Sequence, residues 1–204
     1  MTQKISTEKE AVLDAETRMR EDARSRRVVL VCHCLLDGNA KVWERARYSG
    51  DFTAVTDIIQ KKGYGILQLP CPELLYFGAN RYWGGKNVFD SAGFRRFCRE
   101  KARETADYIE NYNKVGVKAV CVLGCDGSPT CGVSHTNFYD NGGGRPKPLM
   151  RRVIPGKGIF IEELEKELKE RNLPVPDFVG LGMDLFSDST EAIVEEFRKY
   201  MEGK

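Results

Sequence analysis

Four short apolar runs, separated by segments of helical spacing, constrain this chain more than any other feature of its sequence. Val28-Val29-Leu30-Val31 is continuous and β-branched, as suits a strand covered on both faces of a parallel sheet. Gly65 to Leu69, Lys118 to Leu123 and Phe178 to Gly182 read as further strands. Between the first two, Phe52 to Lys62 sets Ala54, Val55, Ile58 and Ile59 on one helix face, and Gly63 supplies a stop. Ser91 to Tyr112 reads as a long helix with Phe94, Phe97, Ala102, Ala106 and Ile109 near one side. Helices at Phe160 to Arg171 and Thr190 to Met201 complete the alternation. The pattern predicts an α/β fold: one domain over 28–204, with an open, Rossmann-like parallel sheet and helices on both faces. A Gly- and aromatic-rich stretch before Ser91 and a polar stretch from Gly124 to Pro155 are expected as loops.

Residues 2–27 are charged, lack Gly and Pro, and hold too few large apolar side chains for a wide buried stripe. An N-terminal helical extension over 1–27 is expected, resting on the surface or against a second copy in a homodimer. The 32 basic and 30 acidic residues leave a net charge of +2, so no field that would gather nucleic acid is implied. No apolar run approaches the roughly 18 to 20 residues of a membrane span. The charged start has no apolar stretch like that of a signal peptide, so a cytoplasmic location without membrane partners is expected.

Seven cysteines in such a chain argue for metal binding or thiol chemistry over a disulfide framework. Ligands of an open parallel sheet gather outside the carboxyl ends of its strands. The first strand runs into Cys34, the second through Leu69-Pro70 into Cys71, and the third into the loop holding Cys125 and Cys131. Pro70 and Pro72 stiffen the backbone around Cys71, and Gly127, Pro129 and Gly132 shape the turn around Cys131. Thiolates select zinc, copper(I) or iron-sulfur clusters. Zinc sites usually include a close pair such as Cys-x-x-Cys, which this sequence lacks. Cys98 and Cys121 fall inside a helix and a strand as inert core thiols; Cys32 and Cys125 are read as small core or neighbouring residues, with a ligand or sulfur-handling role as the alternative, and His33 as a hydrogen-bonded structural histidine.

Three ordered segments carry a family resemblance. They are Cys34-Leu35-Leu36 with Arg47-Tyr48-Ser49-Gly50, then Cys71-Pro72-Glu73, then Ser128-Pro129-Thr130-Cys131-Gly132 with Phe138-Tyr139-Asp140 downstream. Together they resemble the thiouracil desulfurase family and its uncharacterised relatives over roughly Val28 to Leu164. The resemblance implies a 4Fe-4S cluster held by Cys34, Cys71 and Cys131, with the fourth iron open to the sulfur of a small thiolated substrate. Glu73, two residues from Cys71, is placed to move protons while water replaces sulfide, the alternative being a helix cap or a partner of an arginine; Ser128 is placed to hold the substrate or the water, the alternative being a residue that shapes its turn. Arg81 and Tyr48 are expected at the substrate, with the aromatic residues after Glu73 available to stack on a heterocycle. Ser49 stands where the family pattern has Asp, and Leu74 to Gly85 replaces its usual segment after Cys-Pro-Glu. The expected activity is removal of sulfur as sulfide from a thiolated nucleobase or related thioamide. The alternatives are an iron-sulfur or sulfide carrier and a zinc or thiol-switch protein without turnover.

Overall fold

The computed structural model describes residues 22–140, 151–182 and 189–204. The expected N-terminal helix lies, over residues 1–21, outside the described residues. The chain enters at β1 (Arg27–Cys32), turns through the short helix α1 (His33–Leu36) and a tight turn at Gly38–Ala40, and continues into α2 (Thr53–Lys61) and β2 (Gly65–Leu69). Helices α3 (Pro72–Phe77), α4 (Lys86–Phe89) and α5 (Ala92–Lys114) lead to β3 (Lys118–Cys125). Strands β4 (His135–Tyr139) and β5 (Arg151–Pro155) follow, then α6 (Ile159–Glu170), β6 (Asp177–Leu181) and α7 (Thr190–Glu202).

The sheet is four-stranded and parallel, in the order β2-β1-β3-β6. Right-handed crossovers decide where the helices go. The step from β1 to β2 runs one way along the sheet and the steps to β3 and β6 run the other, so α2 belongs on one face, and α5 and α6 on the opposite one. The packing agrees: α5 lies against α6, while α2 meets α7. Val29, Leu30 and Val31 are consequently buried from both sides, as their unbroken apolar run requires. Helix α5 starts where Ser91 accepts a hydrogen bond from the Phe94 N–H through its side chain, and it buries Phe94, Cys98, Ala102, Ala106 and Ile109.

Two stretches expected as loops hold regular structure. The segment after Cys71 forms α3, begun by Pro72 in the first turn, where a missing N–H costs nothing. Tyr76 and Phe77 pack edgewise or tilted against Phe94 of α5, with ring centroids 5.3 and 4.9 Å away. The polar stretch Gly124 to Pro155 contains the antiparallel pair β4–β5, in which Asn137 faces Val153. Here residues of opposite faces alternate, but Thr and Asn occupy buried positions, so polarity alone conceals the strand.

Candidate metal centre

Strand order reverses between β1 and β3, because β1 continues to β2 on one side and the chain returns to β3 on the other. A crevice opens outside the carboxyl ends of strands at such a point. It is lined by Cys34, Cys71, Cys125 and Cys131 together with Glu73, Ser128, Lys41, Arg81, Trp83 and Asn137, and encloses about 100 Å³.

Each thiol has its own local frame. Cys34 sits in α1, whose exit is strapped by the Tyr48 hydroxyl donating to the Cys34 carbonyl at 2.7 Å and by the Phe52 N–H donating to Leu35 at 2.8 Å. Cys71 caps α3 in extended conformation, as its two flanking prolines favour. Cys131 lies in a loop knitted around Ser128 and Asp126. The Ser128 hydroxyl oxygen accepts the Cys131 N–H at 3.0 Å and the Thr130 N–H at 3.2 Å. Asp126 accepts the Val133 and Ser134 N–H groups at 2.7 and 2.9 Å. Gly127, at φ 83°, makes the turn that lets the chain fold back.

Glu73 and Arg81 are both buried and form an ion pair, Nε to Oε2 at 3.2 Å. The guanidinium also donates to the Ala40 carbonyl at 2.7 Å, so Arg81 ties the turn after Cys34 to the helix after Cys71. Among the residues singled out from sequence, Cys34, Cys71, Cys131, Glu73, Ser128 and Arg81 therefore share one cavity. Tyr48 stands behind it, holding the Cys34 carbonyl, with its ring stacked on Phe52 at 5.1 Å. Of the aromatic residues after Glu73, Tyr82, Trp83 and Phe89 line the cavity, while Arg45 lies 3.8 Å over the Trp83 ring.

Lys41 is a participant not visible in the sequence, and Cys125, placed at the third strand end, is its partner. The partly buried Lys41 ammonium donates to the Cys125 sulfur at 3.1 Å across 84 positions of sequence. Cys125 also accepts from the Cys34 thiol, and these contacts, against the effect of burial, lower its pKa to about 6. Cys34 is correspondingly pushed well up, first by that hydrogen bond and then by burial. Burial opposes charge on Lys41, but the facing Cys125 and Cys34 hold its pKa well above the ordinary lysine range. Cys71 is pushed up to about 12, chiefly by burial. Cys131 rises through its hydrogen bond to Cys32 and through burial. Cys121, off the site, is raised to about 12 by burial, in keeping with an inert core thiol. His33 shares a hydrogen bond with Gln68 at 2.6 Å, as a structural histidine would.

The chemistry of this donor set suits an iron-sulfur cluster: soft thiols from three strand ends surround a cavity, and a neighbouring cation compensates their charge. Among the described residues, no three His, Cys, Asp or Glu side chains gather on one point as a single bound ion requires.

The model of the family described as "Putative 2-thiouracil desulfurase" matches residues 28–199. An uncharacterized protein of Methanocaldococcus jannaschii is 29% identical over 150 residues, covering 74% of this chain and 83% of that protein. No solved structure matches the chain. With the match running from β1 into α7, across all the strand ends that carry the thiols, the chain belongs to the 2-thiouracil desulfurase family.

Proposed function

We propose that the protein is an iron-sulfur-dependent, non-redox desulfidase that exchanges the sulfur of a thiolated nucleobase or related thioamide for oxygen. The observation that carries this reading is the meeting of Cys34, Cys71 and Cys131, from three strand ends, in one cavity with Glu73 and Ser128. These three thiolates would hold a 4Fe-4S cluster, which supplies an iron without a protein ligand as a soft Lewis acid toward a thiocarbonyl sulfur.

The rest of the chemistry falls to the chain. Water and a thiocarbonyl give a carbonyl and hydrogen sulfide with no change of oxidation state. Glu73 takes the proton of the attacking water. Its pairing with Arg81 through Oε2 fixes the carboxylate plane, leaving Oε1 for the water. The Ser128 oxygen already accepts two backbone N–H groups, so its own proton is available to orient the attacking water or to hold an acceptor of the substrate. Lys41 adds a partly buried positive charge beside the thiols, which favours the departure of an anionic sulfur there.

The gathering of four thiols and the Lys41 ammonium in one cavity also fits a second reading, an iron-sulfur or sulfide carrier that binds a cluster and passes its cargo to a partner without turnover. One anaerobic experiment separates the two. Iron and acid-labile sulfide are counted per chain in wild type and in Cys34→Ser, Cys71→Ser and Cys131→Ser, and sulfide release from 2- and 4-thiouracil is followed. Close to four of each in wild type, loss in all three variants and catalytic release of sulfide support the desulfidase. A loaded protein without turnover supports the carrier; a protein that takes up no iron after reconstitution removes both iron-based readings.

A further inference from the structure

We infer that Asn137 reads an unsubstituted ring N–H of the substrate, so that the molecule accepted is a cyclic thioamide whose nitrogen beside the reacting carbon carries a proton. The inference rests on the desulfidase reading for the identity of the reacting group. Its geometric basis is separate.

Asn137 lies on β4, lines the cavity that holds the thiols, and is 6% exposed. Its Oδ1 atom is buried and has no hydrogen-bond partner among the described residues. A buried carbonyl oxygen without a donor is costly, and native interiors nearly always supply one. The Glu73 carboxylate is itself an acceptor and cannot supply the missing proton, and the Ser128 hydroxyl makes no hydrogen bond to this oxygen. What the oxygen lacks is an N–H or O–H brought in from the cavity.

The strand holding it is rigid. Asn87 grips Tyr139 on both sides, donating to its carbonyl at 2.7 Å and accepting its N–H at 3.1 Å. The Thr136 hydroxyl donates to the Ser128 carbonyl at 3.0 Å, which joins β4 to the loop of Cys131. Residues of a strand alternate between faces, so Asn137 and Tyr139 share a face, and both line the cavity. The acceptor is thus fixed relative to the third thiol before any ligand arrives, as a group that reads a ligand must be.

Of the groups on a thiolated heterocycle, the thiocarbonyl sulfur and the carbonyl oxygens are acceptors. Of the ring N–H donors, the one beside the reacting carbon lies closest to it, and it offers the proton that Oδ1 lacks. A methyl group on that nitrogen leaves the acceptor unpaired and occupies its space.

The test compares 4-thiouracil with N3-methyl-4-thiouracil on anaerobically purified protein, wild type and Asn137→Leu. Equilibrium dialysis gives binding, sulfide release gives turnover, and thermal melting gives stability. Wild type is expected to bind the parent compound roughly 10- to 100-fold more tightly than the methylated one, and Asn137→Leu to abolish that preference. The variant's ligand-free melting temperature is expected to stay level or rise, because the oxygen it loses has no protein partner. A merely structural asparagine would give the opposite result, a lower melting temperature with the preference intact, and that would overturn the inference. Equal binding of the two compounds by wild type would overturn it as well. If neither compound yields sulfide, the desulfidase reading falls, while the binding ratio still decides the role of Asn137.

Discussion

The seam between α5 and α6 and the cavity at the strand ends are both rich in charge, and they use it in opposite ways. Along the seam each charge finds its complement. Arg95 reaches Asp90, Glu162 and Glu163; Arg99 meets Glu163 at 2.9 Å; Arg171 bridges Asp107 and Glu110 at 2.8 and 2.6 Å. In the cavity, an ammonium faces a thiol, further thiols are held away from ionisation, and an amide oxygen has no partner among the described residues. The seam consumes its interactions in folding. The cavity leaves an acceptor unpaired, as a ligand site under the reading proposed above would, at a cost in stability that functional sites commonly carry.

Substitutions can break this contrast, and the largest effect is expected where the cavity does chemistry. Glu73→Gln should lower sulfide release by roughly 10²- to 10⁴-fold, the usual worth of a positioned general base, measured by steady-state kinetics on cluster-loaded protein. Next comes the one ion pair that serves both purposes. Arg81→Met leaves the Glu73 carboxylate buried without its cation and should cost about 3–5 kcal/mol in denaturant unfolding, and activity with it. Glu163→Gln weakens the seam alone and should cost about 1–3 kcal/mol with kcat and KM unchanged. If Glu163→Gln reduced activity as strongly as Glu73→Gln, the division between the two regions would collapse.

A smaller effect concerns protonation. The hydrogen bond from Cys34 and the facing Lys41 ammonium lower the Cys125 pKa to about 6, so a thiolate is expected there at neutral pH in cluster-free protein. The stability this thiolate contributes is complete above the ordinary thiol range and is lost as the pH falls through about 6. Ultraviolet thiolate absorbance should therefore show one step near pH 6, and Lys41→Gln should move that step upward. An unmoved step would mean that Lys41 does not hold the charge. Least of all is expected from Asp140→Asn, which breaks the exposed pair with Arg152 and should leave the melting temperature and activity where they were.

How far the sequence reveals this arrangement depends on the range of the interactions. The strands of the sheet are legible because burial on two faces leaves uninterrupted apolar runs such as Val28 to Val31. Cys34, Cys71 and Cys131 are legible because strand ends deliver ligands to one edge, whichever order the strands take. Lys41 is not legible: it follows soon after Cys34, but the thiol its ammonium meets is Cys125, on another strand. Cys125 is legible as a thiol beside Cys131, but the strand that ends on it and the ammonium that meets it are not. Asn137 is hidden because β4 buries polar side chains, and a Thr-Asn pair in a stretch rich in Gly and Pro reads as loop. Arg81 suggested a contact to substrate through its charge, yet a local sequence cannot show that Glu73 and Ala40 engage its guanidinium.

The reversal of strand order between β1 and β3 also bears on how the protein is made. Cys34 leaves the ribosome early, but the edge it shares with Cys131 does not exist until β3 has been synthesised and inserted beside β1. Parallel pairing of this kind closes long loops before it gains contacts, and it is intrinsically slow. Any metal captured by Cys34 and Cys71 beforehand would lack its third thiolate. For the cluster proposed above, the topology would make loading a late event, available to a chain whose sheet is assembled and withheld from one that stalls.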